Sequence, residues 1–301
     1  MPESRSSYLP YLALVLNAFV WGVSWWPLRE LQGEGLHPLW SSALTYLLGA
    51  VVMLCAMPKV LEEFMQHKHL WILALAAGTT MVGFNWGVSI GEVIRVVLLF
   101  YLMPIWAVLL ARVVLHERIS LKAMLRVALA FGGAVLVLSP NGALGYPVPS
   151  NMAEWLGLMG GAAFALNNIM LRHQAQRTPQ ARLFAMFVGG VVAPAVVATV
   201  LAVLLGPGNS VVQWPSVPGG FGALVLLGFA ASLLVANYGL QYGASRLPAN
   251  ITAVVMLSEV VFATLSAIVL THEVLTLQVG IGGMMILVAA ALSALDGGDA
   301  H

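Results

Sequence analysis

Ten stretches of this sequence stay apolar over a length that suits a helix crossing a lipid bilayer. Such a helix needs about 20 mainly apolar residues, because each residue rises about 1.5 Å through about 30 Å of hydrocarbon. Hydrophobic residues make up 60% of the 301 residues and charged residues only 8%, too few to cover a soluble surface. The pattern predicts an all-α membrane protein. The predicted spans are 10–29, 36–57, 70–90, 94–114, 121–139, 152–171, 182–205, 219–241, 248–270 and 275–295.

The distribution of lysine and arginine predicts how these spans are oriented. With a cytoplasmic amino terminus, 11 of the 13 Lys and Arg residues fall on the inner side, and only Arg29 and Arg95 fall outside. The opposite orientation would invert this ratio, whereas cytoplasmic loops are normally enriched in positive charge. We therefore expect both termini to lie in the cytoplasm. The first apolar run is too long for the core of a signal peptide, so we expect it to be retained as a membrane helix.

The two halves of the chain resemble each other in sequence. FNWGVSIG (84–91) is similar to ANYGLQYG (236–243), and VLHERIS (114–120) is similar to LTHEVLT (270–276). In each half the first motif lies at the end of the third span and the second motif follows the fourth. Because five spans is an odd number, the second half must enter the membrane with the opposite orientation. Such inverted repeats are typical of transporters.

This repeat predicts the domain organisation. We expect a first five-helix repeat at 1–140, a turn-rich outer linker at 141–151 and a second five-helix repeat at 152–301.

The motifs and their order resemble the drug/metabolite transporter superfamily, EamA type. WGVSW in the first span, LHERIS after the fourth span and the five-plus-five repeat carry this resemblance over nearly the whole chain. The aromatic content of the spans is similar to that of YddG-type aromatic amino acid exporters. The resemblance implies a protein of the plasma (bacterial inner) membrane that exports small amphipathic metabolites by alternating access through a central cavity. We expect aromatic or other large neutral amino acids as substrates; a proton-coupled exporter of drugs or small cations is the alternative.

One acidic residue, Glu259, falls near the middle of the ninth predicted span. A carboxylate at that depth costs roughly 2.5–3.5 kcal/mol on insertion scales, so it should face the bundle interior or a wet cavity. It would bind a substrate ammonium group or take up a proton there. The alternative is a structural acid that is protonated and hydrogen-bonded between helices.

Other polar and aromatic residues are candidates for a substrate-binding site or path. Thr252 lies seven residues before Glu259 on the same helix face, and Pro104 removes a backbone donor just after Tyr101. Asparagine and threonine side chains also commonly bond neighbouring helices in membranes, so each has a structural alternative. The candidates in this group are Thr252, Asn17, Trp21, Trp25, Tyr101 and Asn168.

The repeated N-[WY]-G motif suggests two further pairs of path residues. Asn85 and Trp86 lie toward the outer side, whereas Asn237 and Tyr238 lie toward the inner side, with Glu259 between these levels. We expect the two pairs to flank the outer and inner mouths of one path. The alternative is that the motif builds a helix end, with glycine relieving crowding.

Several functional classes are disfavoured by what the sequence lacks. Only one acid lies near a midplane and the seven histidines lie at span ends, in loops or at the terminus, so we expect neither an intramembrane enzyme nor a metal site. No nucleotide-binding glycine motif appears, so we expect no cofactor. There is no basic block for nucleic acid, and no rings of like charge that would indicate a channel. We expect a monomer whose partners are membrane lipid and a small-molecule substrate.

Overall fold

The structure, a computed structural model, describes residues 8–114, 120–139, 148–174, 176–206, 211–216 and 218–296. This part of the chain is helical and contains no strand. Most of the LHERIS motif and most of the predicted linker at 141–151 lie outside the described residues.

Eight helices form the amino-terminal half. They are α1 (Leu9–Gly22), α2 (Trp25–Gly33), α3 (Pro38–Ala56), α4 (Lys59–Gln66), α5 (Lys68–Ile90), α6 (Val93–Phe100), α7 (Met103–Val114) and α8 (Leu121–Leu138). Six helices follow in the carboxy-terminal half. They are α9 (Met152–His173), α10 (Pro179–Leu205), α11 (Gly220–Ala244), α12 (Ala249–Met256), α13 (Ser258–Thr271) and α14 (Leu277–Asp296).

Each of the ten predicted apolar runs is helical, and eight helical stretches are long and apolar enough to cross a membrane by length and composition. A ninth, Leu277–Ser293, is apolar but shorter, and α9 carries Glu154 in its first turn. The total of ten spans and the orientation of the termini therefore remain predictions. The eight stretches are Leu9–Gly33, Pro38–Ala56, Lys68–Ile90, Val93–Leu110, Leu121–Leu138, Pro179–Leu205, Gly220–Ala244 and Val254–Thr271.

Three of these stretches are interrupted, and each break has a local cause. Between α1 and α2 the Ser24 hydroxyl donates to the carbonyl of Trp21, at 2.7 Å, and between α12 and α13 the Ser258 hydroxyl donates to that of Val255, also at 2.7 Å. Such bonds compete with the helical ladder and bend helices. Between α6 and α7, Pro104 has no N–H to offer the carbonyl of Phe100.

Two of the breaks occupy matching places in the two halves. Helix α6 ends at Phe100 and helix α12 ends at Met256. The distance in sequence from Phe100 to His116 equals the distance from Met256 to His272. Paired interruptions of this kind in the two halves of a transporter point to its binding site. The match supports the predicted inverted repeat, which remains a prediction.

Glycines bring the helices close to one another around these breaks. A Cβ at Gly157 would lie 2.9 Å from the carbonyl oxygen of Val96, and a Cβ at Gly161 would collide with that of Phe100. The G-x-x-x-G of α9 is therefore used for packing within the chain, against α6. Likewise, a Cβ at Gly22 would lie 2.7 Å from the carbonyl oxygen of Glu259, so the end of α1 packs directly on the start of α13.

Candidate functional site

A cavity of about 310 Å³ lies between helices of both halves, at the level of the three breaks. Its size is at the lower end of the range of small-molecule sites in proteins. Six of the predicted candidates line it, joined by a set of apolar residues that sequence did not single out. The six are Asn17, Trp21, Tyr101, Asn168, Asn237 and Glu259, and the apolar set includes Met81, Phe84, Phe100, Met103, Phe164, Met186, Leu240, Met256 and Leu257.

Glu259 is the acidic residue of this cavity. Its side chain is buried, with 8% of the residue exposed, and its Oε2 accepts a hydrogen bond from the Tyr101 hydroxyl at 3.0 Å. Tyr101 lies in the turn between α6 and α7, and Glu259 follows the break between α12 and α13. The two interruptions thus point a donor and an acceptor toward each other from opposite halves of the chain. Gly22 allows α1, and with it Trp21, to approach the same point.

Aromatic rings form much of the cavity wall. Phe84 packs edge-on against Trp21 and Phe100, with ring centroids 6.3 and 4.9 Å apart. Phe100 also contacts Phe164 at 5.2 Å and Tyr101 at 5.8 Å. Rings in this arrangement stack on an aromatic guest, and their faces attract a cation. The wall therefore suits an apolar or aromatic body that carries positive charge.

Three asparagines line the cavity, and two of them are tied to the backbone. The Asn17 amide donates to the carbonyl of Ala236 and the Asn237 amide to that of Leu233, both at 2.8 Å. Asn168 is half-buried, and its amide has no hydrogen-bond partner among the described residues. Asn17 therefore ties α1 to α11, and the amide of Asn237 bonds within α11, whereas the amide of Asn168 stays available.

The described lining of the cavity includes an acidic residue but no lysine or arginine. The acidic residue is Glu259, which contributes a carboxylic acid. Since a charge is stable in a membrane interior only when it is paired or solvated, the lining suits a positively charged group better than a negatively charged one.

The other five candidates do not line the cavity. The Trp25 indole donates to the Ser266 hydroxyl at 3.0 Å and packs under the Arg29 guanidinium. Thr252 is half-buried on α12, and its hydroxyl has no partner among the described residues. Asn85 is buried and donates to the Ser42 hydroxyl at 3.0 Å, which ties α5 to α3.

Trp86 and Tyr238 lie apart from the cavity as well. Trp86 packs edge-on against His37 and belongs to an apolar cluster with α3, α9 and α10, whereas Tyr238 is 75% exposed on the outside of α11. Both helices continue past the motif, to Ile90 and Ala244, so it does not end them. Its glycines lie at close approaches, because a Cβ at Gly87 would be 3.1 Å from Val96 and one at Gly239 would be 3.0 Å from Ala13. A gating role for the two pairs remains a prediction.

Sequence reasoning missed a cluster of charged residues at one end of the bundle, where α5 ends and α6 begins; we call this end the far side. Glu273, just after α13, accepts hydrogen bonds from the backbone N–H groups of Val93 and Ile94 at 2.9 and 3.1 Å. Arg29 approaches Glu273 to 4.0 Å and donates to the backbone carbonyls of Val88 and Gly91. Glu273 thereby caps the amino terminus of α6 from the other half of the chain.

A second ion pair lies next to it. Arg95 contacts Glu92 at 2.8 Å and Glu154 at 3.5 Å, and it donates to the carbonyl of Val137. Glu154 in turn accepts from the backbone N–H of Ser150 at 2.7 Å. Arg29, Glu92, Arg95, Glu154 and Glu273 form what we call the far-side cluster. It joins the two halves and uses the only two arginines that the sequence places outside the cytoplasm.

The fold and the cavity define a class: a helical membrane protein with a ligand-sized site between its two halves. Residues 9–139 match the model of the EamA-like transporter family, and a domain of that family implies an integral membrane transporter of small molecules. We expect from the sequence that the resemblance covers nearly the whole chain, but the family match ends before α9. No curated protein matches this chain. Among the solved structures that match, one crystal structure shares the fold with a TM-score of 0.57 and 19% identity over 97% of this chain and 98% of its own. None of this supports the expected closeness to YddG-type aromatic amino acid exporters.

Proposed function

We propose that this protein transports small organic amines that carry an aromatic or apolar body, exporting them from the cytoplasm by alternating access. The observation that carries the proposal is the lining of the central cavity. It offers one carboxylic acid, a wall of aromatic rings and no described basic residue. A protonated amine bound there would have Glu259 as counter-ion and ring faces around its remaining N–H or C–H groups.

Aromatic or other large neutral amino acids are the second candidate. Their ammonium group would use Glu259 in the same way, and the aromatic wall would accept their side chains. Their carboxylate, however, would enter a membrane cavity whose described lining offers neutral amides and no lysine or arginine to receive it. Burying a carboxylate without a positive partner is costly. This difference favours amines, and therefore the cation-exporting alternative over the amino acid exporter.

The position of the far-side cluster supports an alternating-access mechanism. The cluster ties α2, α5 and α6 of the first half to Glu154 and Glu273 of the second half. We infer that these contacts close the far side in this conformation, and that they must break for substrate to leave there. With both termini cytoplasmic, the far side would be the outer face of the membrane.

Transport by purified protein in liposomes tests the substrate class. We expect saturable uptake of radiolabelled tryptamine, which unlabelled tyramine inhibits more strongly than tyrosine or tryptophan does. Stronger inhibition by the two amino acids than by their decarboxylated counterparts would overturn the amine proposal in favour of the second candidate. Flux that is linear in concentration would indicate a pore instead of a transporter.

Glu259→Gln then separates two roles of the acid. Loss of pH-driven uptake into inverted vesicles, with amine exchange retained, would show that Glu259 carries protons. Loss of amine binding itself would show that it holds the substrate. Behaviour like the unmodified protein in both assays would exclude a transport role for Glu259.

A further inference from the structure

Asn168 is the cavity asparagine whose amide N–H groups are not used by the protein, although the buried Asn17 side-chain oxygen is also without a partner among the described residues. The cavity amides Asn17 and Asn237 each donate to a backbone carbonyl, whereas the Asn168 amide has no partner among the described residues. A polar group in an apolar environment is costly to leave without a hydrogen bond. The amide of Asn168 therefore has two N–H donors and one carbonyl acceptor to offer whatever enters the cavity.

The position of Asn168 relative to Glu259 follows from a chain of contacts. Tyr101 bonds Glu259 at 3.0 Å, and its ring contacts that of Phe100, which in turn contacts Phe164 at 5.2 Å. Asn168 lies one helical turn after Phe164 on α9, on the same face. The aromatic pair Phe100–Phe164 thus lies between the acid at one end of the chain of contacts and the amide at the other.

The amide is neutral, which restricts what it recognises. A carboxylate placed at Asn168 would gain hydrogen bonds but no positive partner, since no described lining residue is lysine or arginine. A second ammonium group would likewise find no second acid in the described lining. A hydroxyl, carbonyl or amide matches the donors and the acceptor of asparagine without leaving a charge uncompensated.

We propose that Asn168 is a specificity-determining residue that binds a neutral hydrogen-bonding group of the substrate. This inference rests on the proposed transport of amines and names the substrate class more closely. The preferred substrate carries an ammonium group for Glu259, an apolar or aromatic middle for Phe100 and Phe164, and a hydroxyl or carbonyl group at its other end. Loss of that third group weakens binding, and its replacement by a carboxylate weakens binding further.

Competition by three para-substituted amines of one skeleton tests this inference. Phenethylamine lacks the third group, tyramine supplies a hydroxyl, and 4-(2-aminoethyl)benzoic acid supplies a carboxylate. The assay is inhibition of labelled tryptamine uptake into liposomes containing the full-length protein. We expect tyramine to inhibit about tenfold more strongly than phenethylamine, as for one hydrogen bond to a buried group, and the benzoic acid to inhibit least.

Two variants test whether the side chain of Asn168 causes the preference for tyramine over phenethylamine. Asn168→Leu keeps the volume of the residue but removes its hydrogen bonds, so phenethylamine should inhibit as before while tyramine loses its advantage. Asn168→Asp adds an anion, so 4-(2-aminoethyl)benzylamine, a diamine, should become the strongest inhibitor. Asn237→Leu is the matched control: its amide is already bonded within α11, so any loss should affect tyramine and phenethylamine equally.

The outcomes separate this inference from the proposed function. If the unmodified protein binds neither tryptamine nor these amines, the proposed function and the inference fail together. If it binds tyramine and phenethylamine equally well, or if Asn168→Leu keeps the preference for tyramine, only the role of Asn168 is overturned. Retained inhibition by phenethylamine shows that the leucine variant is folded.

Discussion

The hydroxyl of Tyr101 donates to the carboxylate of Glu259 at 3.0 Å, across 158 residues of sequence. Each residue lies at a break in its helix, and both are buried. A carboxylate in such a place needs a donor, because hydrogen bonds offset part of the cost of removing it from water. The pair therefore stabilises the fold around the cavity, and its carboxylate is available to a cationic guest.

Removing the Tyr101 hydroxyl should lower the stability of the folded protein. Tyr101→Phe keeps the ring but leaves Glu259 Oε2 without its partner, and we expect a loss of about 1–3 kcal/mol of stability. Thermal unfolding in detergent measures this loss, and saturating tryptamine should restore part of it. Tyr46→Phe is the matched control, because Tyr46 is equally buried but donates to the weak acceptor Met81 Sδ. Equal losses of stability in the two variants would show that the hydrogen bond to the Glu259 carboxylate does not cause the loss in Tyr101→Phe.

Weakening the far-side cluster should open the far side. Glu273→Gln removes the anion that faces Arg29 and caps α6. A surface depression on the far side is lined by Arg29, Ser89 and Glu273, so Ser89→Cys in a Cys55→Ser background reports access to that side. We expect a membrane-impermeant thiol reagent to label it at least about threefold faster, for a shift of about 0.7 kcal/mol.

Glu30→Gln provides the control for this experiment. Glu30 is next to Arg29 but forms no ion pair within the described part of the chain, so its variant should leave the labelling rate unchanged. If Glu273→Gln also leaves it unchanged, the cluster does not hold the far side closed.

Gly22 should tolerate no side chain. A Cβ there would lie 2.7 Å from the Glu259 carbonyl oxygen and from the Phe262 Cβ, so Gly22→Ala must push α1 away from α13. We expect reduced thermal stability and weaker tryptamine binding, because both Trp21 and Glu259 would move. Gly228→Ala is the control, since nothing lies within 4 Å of the position that its Cβ would take. That change should be neutral or stabilise α11 by up to about 1 kcal/mol. Similar behaviour of the two variants would contradict the close packing of α1 on α13.

Acid should weaken the contact between α4 and α10. Burial opposes ionisation of Glu63, but hydrogen bonds from the Thr178 hydroxyl at 2.7 Å and its backbone N–H at 3.1 Å lower the pKa of this carboxyl. A carboxyl with a lowered pKa stabilises the fold above its unfolded pKa, and this contribution is lost as the pH falls through the folded pKa. Because Glu63 is only partly buried, we expect less than about 1 kcal/mol.

The difference in thermal stability between the unmodified protein and Glu63→Gln measures this contribution. It should be present at pH 7 and be lost as the pH falls through the lowered pKa of Glu63. A difference that persists in acid would mean that the glutamine disturbs the contact for reasons other than charge.

Sequence predicted those parts of the site that depend on local chemistry. An acid within an apolar run has to face inward, and Glu259 does so. Proline at 104 accounts for the break beside Tyr101. By contrast, the break before Ser258 has no proline, and it follows from a serine hydroxyl bond and from close packing on Gly22. Such tertiary contacts leave no periodic signal in the chain.

The aromatic wall and the far-side cluster could not be predicted from the sequence, for related reasons. Phe84 and Phe100 look in sequence like any apolar residue of a membrane helix, because lipid-facing and cavity-facing positions use the same side chains. Glu273 is recognisable as an acid near a helix end, but its partners Val93 and Ile94 contribute only backbone N–H groups. The N-[WY]-G motif drew attention to Trp86 and Tyr238, although its glycines serve close helix packing.

The cavity lining is divided between the two halves of the chain, so neither half contains the whole candidate site. The family match at 9–139 includes Tyr101, Trp21 and Phe100, whereas Glu259 and Asn168 lie beyond it. A separately expressed amino-terminal half would present a phenol without its acid, so it could not hold a cation on its own. In the proposed function the ligand-binding unit therefore needs both halves of the chain, because each half contributes part of the cavity lining.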